Sequence, residues 1–195
     1  MIRVAVMDPH PAARAGLERL VAEAPGLFPV GATGDPRALW PLLYRADPDV
    51  LVLGADRPAE ALRLCLRVRA RQFRARVVVY AAQTGFDTIV PATFAGAHAV
   101  VDKAAGLGEL LDAVRAPAPR LPALTPLMQR RAAARLEPLD RAILAMTLAG
   151  TPAREIARVV GLGSVALAAR RARLLALLCG SEVAGALDGP GELHA

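Results

Sequence analysis

Arginine side chains cluster in the C-terminal part of the chain, where they could bind a polyanion. Residues 130–173 contain nine arginines against the acidic residues Glu137, Asp140 and Glu155. This segment therefore has a formal net charge of +6, which equals that of the whole chain of 195 residues, so the excess of positive charge lies here. Guanidinium groups pair well with phosphates, and the pattern therefore favours a nucleic-acid partner. The alternative is an arginine-rich composition without a ligand, since Lys103 is the only lysine.

Residues that commonly carry catalysis or hold metals are sparse and scattered. The three histidines, His10, His98 and His194, form no recognisable motif with either cysteine, Cys65 or Cys179. No glycine-rich phosphate loop follows a predicted strand. Two cysteines are too few for a disulfide scaffold or a zinc finger. We therefore expect a protein that is not an enzyme and that needs no cofactor or metal.

The composition indicates a folded protein outside the membrane. Hydrophobic residues make up 54% of the chain and charged residues 22%, which allows a real core and argues against disorder. No apolar run approaches the roughly 18 residues that suggest a membrane span. The first residues are interrupted by Arg3 and Asp8 and do not resemble a signal peptide. We expect a cytoplasmic protein without membrane contact.

The first 115 residues alternate between strand-like and helix-like segments. The predicted strands are 2–7, 27–31, 49–53, 77–80 and 98–101. The predicted helices are about 9–24, 35–46, 58–72, 85–95 and 105–115. Continuous apolar runs such as Val50–Leu53 are typical of parallel strands covered on both faces. Five such units predict a flavodoxin-like, doubly wound α/β fold with a five-stranded parallel sheet in the order 2-1-3-4-5.

Prolines mark the change to a second unit. Pro117, Pro119, Pro122 and Pro126 break any regular element. Three helices are then predicted, at 138–149, 152–159 and 164–178. A glycine-containing turn joins the last two, which predicts a small all-α helix-turn-helix domain. The predicted division is an α/β domain at 1–115, a linker at 116–135, a helical domain at 136–188 and a tail at 189–195.

Short motifs occur in both halves of the chain, and their order and spacing together are informative. In the first half they are Met7-Asp8-Pro9-His10-Pro11, Asp47 to Leu53, Pro58, Gly96-Ala97-His98 and Lys103. In the second half they are Leu136, Pro138, Arg141, Gly150, Glu155-Ile156-Ala157, Leu162, Leu167 and Leu174. This order resembles the NarL/FixJ family of bacterial response regulators, over nearly the whole chain. The resemblance implies a receiver domain followed by a LuxR-type helix-turn-helix, in a homodimeric transcription regulator that binds double-stranded DNA.

The resemblance also implies that the receiver half is atypical. Receivers of this family accept a phosphoryl group on an aspartate, beside acids that hold Mg²⁺, a hydroxyl residue and a lysine. The matching positions here are Asp8, Gly54, Ala81 and Lys103, with Pro9 in place of a second acid. Gly54 has no carboxylate to phosphorylate, and Ala81 has no hydroxyl. We therefore predict a regulator that works without phosphorylation at the usual site.

The two remaining members of that set have two interpretations. Asp8 and Lys103 pair with each other, or they line a pocket left open by the small residues Gly54 and Ala81. Such a pocket could hold a small anionic ligand near Lys103. Asp56 is disfavoured as a substitute acceptor, because two residues along a strand shift a side chain by roughly 6–7 Å.

The third predicted helix of the second half is expected to read DNA. The candidate DNA-binding residues are Arg154, Arg158, Ser164, Arg170, Arg171 and Arg173. Leu167, Leu174 and Leu178 have the spacing of a packed helix face. Arg170 and Arg171 are then predicted to point away from that face and into the major groove. Leu175 and Leu177 add apolar surface that could serve a dimer contact.

A protein-interaction module is the second hypothesis. In it the receiver half binds another regulator or a kinase, and the helical domain binds DNA weakly or without specificity. Ala166 and Ala168 favour it, because they leave the recognition helix poor in polar base readers. So does the apolar segment Trp40–Tyr44, which could form a contact surface. Salt-dependent DNA binding discriminates the two hypotheses, since only a DNA reader must release counterions.

Overall fold

The computed structural model describes residues 1–55, 58–82, 84–121 and 136–178, together with residues 130 and 134. Five strands and five helices alternate within its first part, and three more helices follow. Asp56, most of the predicted linker, Cys179 and the predicted tail lie outside the described residues.

The first part of the chain forms one parallel sheet with helices on both faces. Its strands are β1 (Ile2–Met7), β2 (Leu27–Thr33), β3 (Val50–Ala55), β4 (Arg76–Ala81) and β5 (Ala99–Asp102). Its helices are α1 (Pro11–Glu23), α2 (Pro36–Ala46), α3 (Pro58–Ala70), α4 (Phe86–Ala95) and α5 (Leu107–Arg115). The strand order β2-β1-β3-β4-β5 confirms the predicted flavodoxin-like fold.

Local sequence signals explain where these elements begin and end. Pro11 and Pro36 occupy first-turn positions of α1 and α2, where a missing N–H costs nothing. The side chain of Asp35 accepts a hydrogen bond from the backbone N–H of Arg37 and caps α2. At the other end Asp47 takes a left-handed conformation, with φ of 36°, and stops the helix. The central strands β3 and β4 are buried on both faces, as their continuous apolar runs predicted.

Three helices form the C-terminal domain, namely α6 (Pro138–Leu148), α7 (Ala153–Val160) and α8 (Ser164–Leu178). Gly161 ends α7 with φ of 69°, and its N–H donates to the carbonyl of Ala157. Only glycine adopts that conformation without strain, so the turn that joins α7 to α8 depends on it. The predicted helix-turn-helix elements are therefore present. None of the described helices is long and apolar enough to cross a bilayer.

The helical domain packs directly on the α/β part. Helix α8 contacts α3 and α4, and α6 contacts α4. Leu62 and Phe94 of the α/β part belong to the same cluster of buried side chains as Leu174 and Leu175 of α8. The predicted recognition helix therefore has a buried face toward each of two neighbours, its own domain and the α/β part.

Candidate phosphorylation site and DNA-binding surface

Asp8 follows β1 and is fully buried, at 0% exposure. Its Oδ2 accepts a hydrogen bond from Lys103 Nζ at 3.1 Å. Its Oδ1 accepts one from the backbone N–H of His10 at 2.9 Å and lies 3.2 Å from His10 Nδ1. Arg14 Nη1 also donates to the carbonyl oxygen of Asp8, at 2.9 Å, a contact that the sequence pattern did not reveal. The interpretation in which Asp8 and Lys103 pair with each other is confirmed.

Gly54 lies in β3, directly beside the Asp8 carboxylate. A Cβ atom at Gly54 would be 2.0 Å from Asp8 Oδ2 and 2.7 Å from Asp8 Cγ. The Asp8 carboxylate thus fills the space that a side chain at position 54 would enter. The predicted open pocket beside Gly54 is wrong for this reason. A small anion near Lys103 stays a prediction, and it would have to compete with Asp8.

The remaining matching positions are packed as well. Ala81 is buried, and its carbonyl accepts a hydrogen bond from the Lys103 backbone N–H at 2.8 Å. Lys103 Nζ lies 5.5 Å from the ring centroid of Tyr80, and the lysine side chain is 24% exposed. Burial raises the pKa of the Tyr80 hydroxyl, with smaller contributions from the negative charges of Asp102 and Asp8. The lysine therefore has two fixed neighbours, a carboxylate and an aromatic face.

These residues do not fit a Mg²⁺ ion. Mg²⁺ sites in proteins draw on several oxygen ligands in an octahedron. Asp8 is the single carboxylate of the set, and both of its oxygens already accept hydrogen bonds. In the described parts of the chain, no group of three or more His, Cys, Asp or Glu side chains could hold a metal.

Four of the six predicted DNA-binding residues lie on the surface of the helical domain. Arg154 and Arg158 on α7, and Ser164 and Arg173 on α8, are exposed. Arg158 Nη2 lies 3.9 Å from Glu155 Oε1, a loose and exposed ion pair. Ser164 stands at the N-terminus of α8, where unpaired backbone N–H groups attract anions. All four side chains are thus open to solvent, with Arg158 held only by this loose ion pair.

Arg170 is held by acidic groups of its own domain. Its guanidinium donates through Nε to Asp140 Oδ1 and through Nη2 to Glu137 Oε2, the latter at 3.1 Å. The pKa of Arg170 is raised, mainly by the hydrogen bond to Asp140. Asp140 is buried in the first turn of α6, so this pair ties α8 to the start of the domain.

We expect Arg170→Ala to lower the melting temperature, because it leaves the buried Asp140 carboxylate without its guanidinium partner. Arg173→Ala, an exposed position on the same helix, is the matched control and should leave the melting temperature unchanged. Thermal unfolding followed by circular dichroism measures both. Equal melting temperatures for the two variants would show that Arg170 does not support the fold.

Arg171 faces the α/β part and not solvent. Its Nη2 donates to the Phe94 carbonyl at 3.2 Å, and its guanidinium carbon lies 5.4 Å from the Phe94 ring centroid. Burial lowers the pKa of Arg171. The prediction that Arg171 points away from the packed face is wrong, because α8 packs on a second neighbour. Leu175 was the residue in the sequence that could have indicated this second neighbour. Its apolar surface, which was assigned to a dimer contact, is buried beside α3.

Similar proteins are found among bacterial regulators. The Escherichia coli nitrate/nitrite response regulator protein NarL is 27% identical over 170 residues, which cover 80% of this chain and 79% of NarL. No protein-family model matches the chain.

Solved structures agree with this relation. The two-component response regulator of the LuxR family from Aurantimonas sp. is 27% identical, with a TM-score of 0.52 over 70% of this chain and 99% of its own. Salmonella enterica RcsB, at 17% identity, shares the fold over 96% of both chains with a TM-score of 0.51. The chain is therefore similar to NarL-type response regulators over most of its length.

Proposed function

We propose that the chain is a DNA-binding transcription regulator that needs no phosphorylation of its receiver half. The observation that carries this is the buried Asp8 carboxylate, which fills the space beside Gly54 and pairs with Lys103. An acyl phosphate needs a carboxylate at position 54, and Gly54 offers none. The lysine that would steady a phosphoryl group is already neutralised by Asp8. The receiver half, residues 1–115, is in this proposal an atypical receiver.

DNA binding is assigned to the helical domain, which we place at 136–188 after a linker at 116–135 and before a tail at 189–195. Its support is the exposed set Arg154, Arg158, Ser164 and Arg173 on the helix-turn-helix. RcsB, which shares the fold over 96% of the chain, has been solved bound to promoter rprA. Because helix-turn-helix proteins read paired half-sites, we also propose a homodimer.

The packing of α8 on α3 and α4 supports a closed arrangement, in which α8 lies against the receiver half and the protein binds DNA weakly. Arg171 is engaged by Phe94, and Arg170 by Asp140 and Glu137, so neither guanidinium is free for a base edge. Contact of α8 with the major groove requires that α8 leave the receiver half. The apparent affinity for DNA is then reduced by the fraction of protein in the closed state.

The test is a selection of genomic fragments by the purified, unphosphorylated protein at two salt concentrations. We expect a palindromic site to be enriched, more strongly at low salt, because each arginine on a phosphate releases counterions. The variant Arg154→Ala/Arg173→Ala should bind the selected site more weakly, with a salt slope smaller by about 2. Fluorescence anisotropy on that site gives both quantities.

The matched control for this experiment is Arg19→Ala/Arg115→Ala. Both arginines are exposed, and they lie on α1 and α5, which pack in a different cluster of buried side chains from the one that α8 joins, so the control removes the same charge away from the helix-turn-helix. It should keep the affinity and slope of the unmodified protein. If both double variants lose the same affinity, binding follows net charge alone and the assigned surface is wrong.

A protein-interaction module remains the second candidate. It is favoured by the engagement of Arg170 and Arg171 within the chain. The expected contact surface on α2 is mostly wrong: Leu42 and Leu43 are buried, and the guanidinium carbon of Arg71 lies 4.1 Å from the Trp40 ring centroid. No enrichment of DNA at either salt concentration would favour this candidate.

A further inference from the structure

A cleft of about 440 Å³ separates the receiver half from the helix-turn-helix. Its floor is the C-terminal end of α3, and its opposite wall is formed by α7 and the first turns of α8. The volume lies within the range of roughly 300–1,000 Å³ that is typical of small-molecule sites. It is distinct from the degenerate phosphorylation site, since neither Asp8 nor Lys103 lines it.

Positive charge enters this cleft from both of its walls. Arg69 comes from α3, Arg154 from α7 and Arg171 from α8. Ser164 adds a hydroxyl at the N-terminus of α8. Among the described lining residues there is no acidic side chain. A negatively charged group in the cleft would therefore meet three guanidinium groups without repulsion.

Two of these arginines have unused hydrogen-bonding capacity. The Nε–H of Arg171 is buried, and no residue that the structure describes accepts from it. Arg154 makes no hydrogen bond or ion pair within the same residues. Arg69, in contrast, is fixed, because it donates to the carbonyls of Gly96 and Ala75 at 3.2 and 2.7 Å. A buried donor without a partner costs free energy that an acceptor in the cleft would recover.

The rest of the lining is apolar. Leu66 and Ala70 contribute from α3, Ala157 from α7, and Leu167 and Ala168 from α8. Small side chains on both walls leave room for a hydrocarbon or aromatic body between them. The cleft thus combines an apolar chamber with a few convergent cationic groups, which is the usual composition of a ligand site.

We propose that this cleft binds a small organic anion, with an apolar body against the alanines and leucines and a carboxylate or phosphate head group on the arginines. A ligand that touches both walls binds only the closed arrangement and so stabilises it. Its effect on DNA rests on the proposed function: the ligand occupies Arg154, Arg171 and Ser164, and it should lower DNA affinity.

The first test measures binding in the absence of DNA, so its outcome is independent of the proposed function. Octanoate and octyl phosphate serve as anionic probes and octanol as the uncharged probe of equal chain length, each titrated into the full chain by calorimetry. We expect octanoate, octyl phosphate or both to bind at millimolar concentrations and octanol to bind at least about tenfold more weakly. The stronger of the two anions identifies the head group.

Two substitutions locate the binding. Ala70→Phe fills the cleft from an exposed position at the end of α3 and should abolish binding of the anion. Ala15→Phe, at an exposed position of α1, is the matched control and should leave it unchanged. Arg154→Gln, at an exposed residue, should weaken it about tenfold without an effect on folding.

Three results would each overturn the proposal. They are equal affinities for octanoate and octanol, no binding of either anion, and retained binding in both Ala70→Phe and Arg154→Gln. A separate titration of DNA complexes with the bound anion then tests the regulatory consequence. A full chain that binds no anion refutes the cleft as a ligand site. A full chain that binds no DNA in the absence of the anion refutes the proposed function instead.

Discussion

Gly54→Asp is expected to destabilise the receiver half and not to create a phosphorylation site. A Cβ atom at position 54 lies 2.0 Å from Asp8 Oδ2, so the Asp8 side chain must move away from Lys103 and His10. The variant also places two carboxylates beside one lysine in a buried site, where like charges repel. We expect a loss of about 2–4 kcal/mol in the free energy of unfolding. Denaturant titration measures it.

The matched control is the exchange variant Asp8→Ala/Gly54→Asp. It keeps one carboxylate for Lys103 and removes the atoms with which the new side chain collides. We expect it to recover most of the lost stability. A Gly54→Asp protein as stable as the original, or one that gains a phosphoryl group from acetyl phosphate and Mg²⁺, would contradict the description of this site.

The α/β architecture was predictable because each strand and helix is marked by residues within its own segment of the sequence. Val50–Leu53 and Val77–Tyr80 are continuous apolar runs, and a strand of that kind needs a helix on each face. Pro11 and Pro36 mark helix starts, although both helices begin one or two residues later than predicted. Right-handed crossovers then leave few orders for five strands. The pairing of Asp8 with Lys103 follows from the same topology, since both residues stand at the carboxyl ends of their strands.

Two of the errors arose where neighbours distant in sequence decide the outcome. A small residue such as Gly54 looks like an opening in the sequence, but protein interiors are close-packed and Asp8 fills the space. Likewise, the spacing of Leu167, Leu174 and Leu178 defines one packed face of α8 but does not show which other elements α8 contacts. Arg171 was predicted to point away from the packed face because its contact with Phe94 joins residues 77 positions apart, which the local spacing cannot show.

The closed arrangement itself makes the second large prediction. Leu66 of α3 is buried and lines the cleft against α8 near Arg171 and Arg69. Leu66→Arg adds a fourth cation to the three arginines that line the cleft and removes apolar contact, so α8 should leave the receiver half. When most of the protein is in the closed arrangement, opening it raises the fraction of molecules that can bind DNA. DNA affinity should then increase about tenfold or more. Anisotropy on the selected site measures the change.

Leu107→Arg separates the release of α8 from the added charge. Leu107 is an exposed leucine at the start of α5, away from the helical domain, and its replacement adds the same single charge. Added charge alone strengthens DNA binding of both variants equally, through the general attraction of cations to phosphates. A Leu66→Arg protein that binds no more tightly than Leu107→Arg would mean that packing of α8 on α3 does not restrain DNA binding. A larger gain for Leu66→Arg would establish the receiver half as an inhibitor of the helix-turn-helix, whose release must then come from a signal other than a phosphoryl group at position 54.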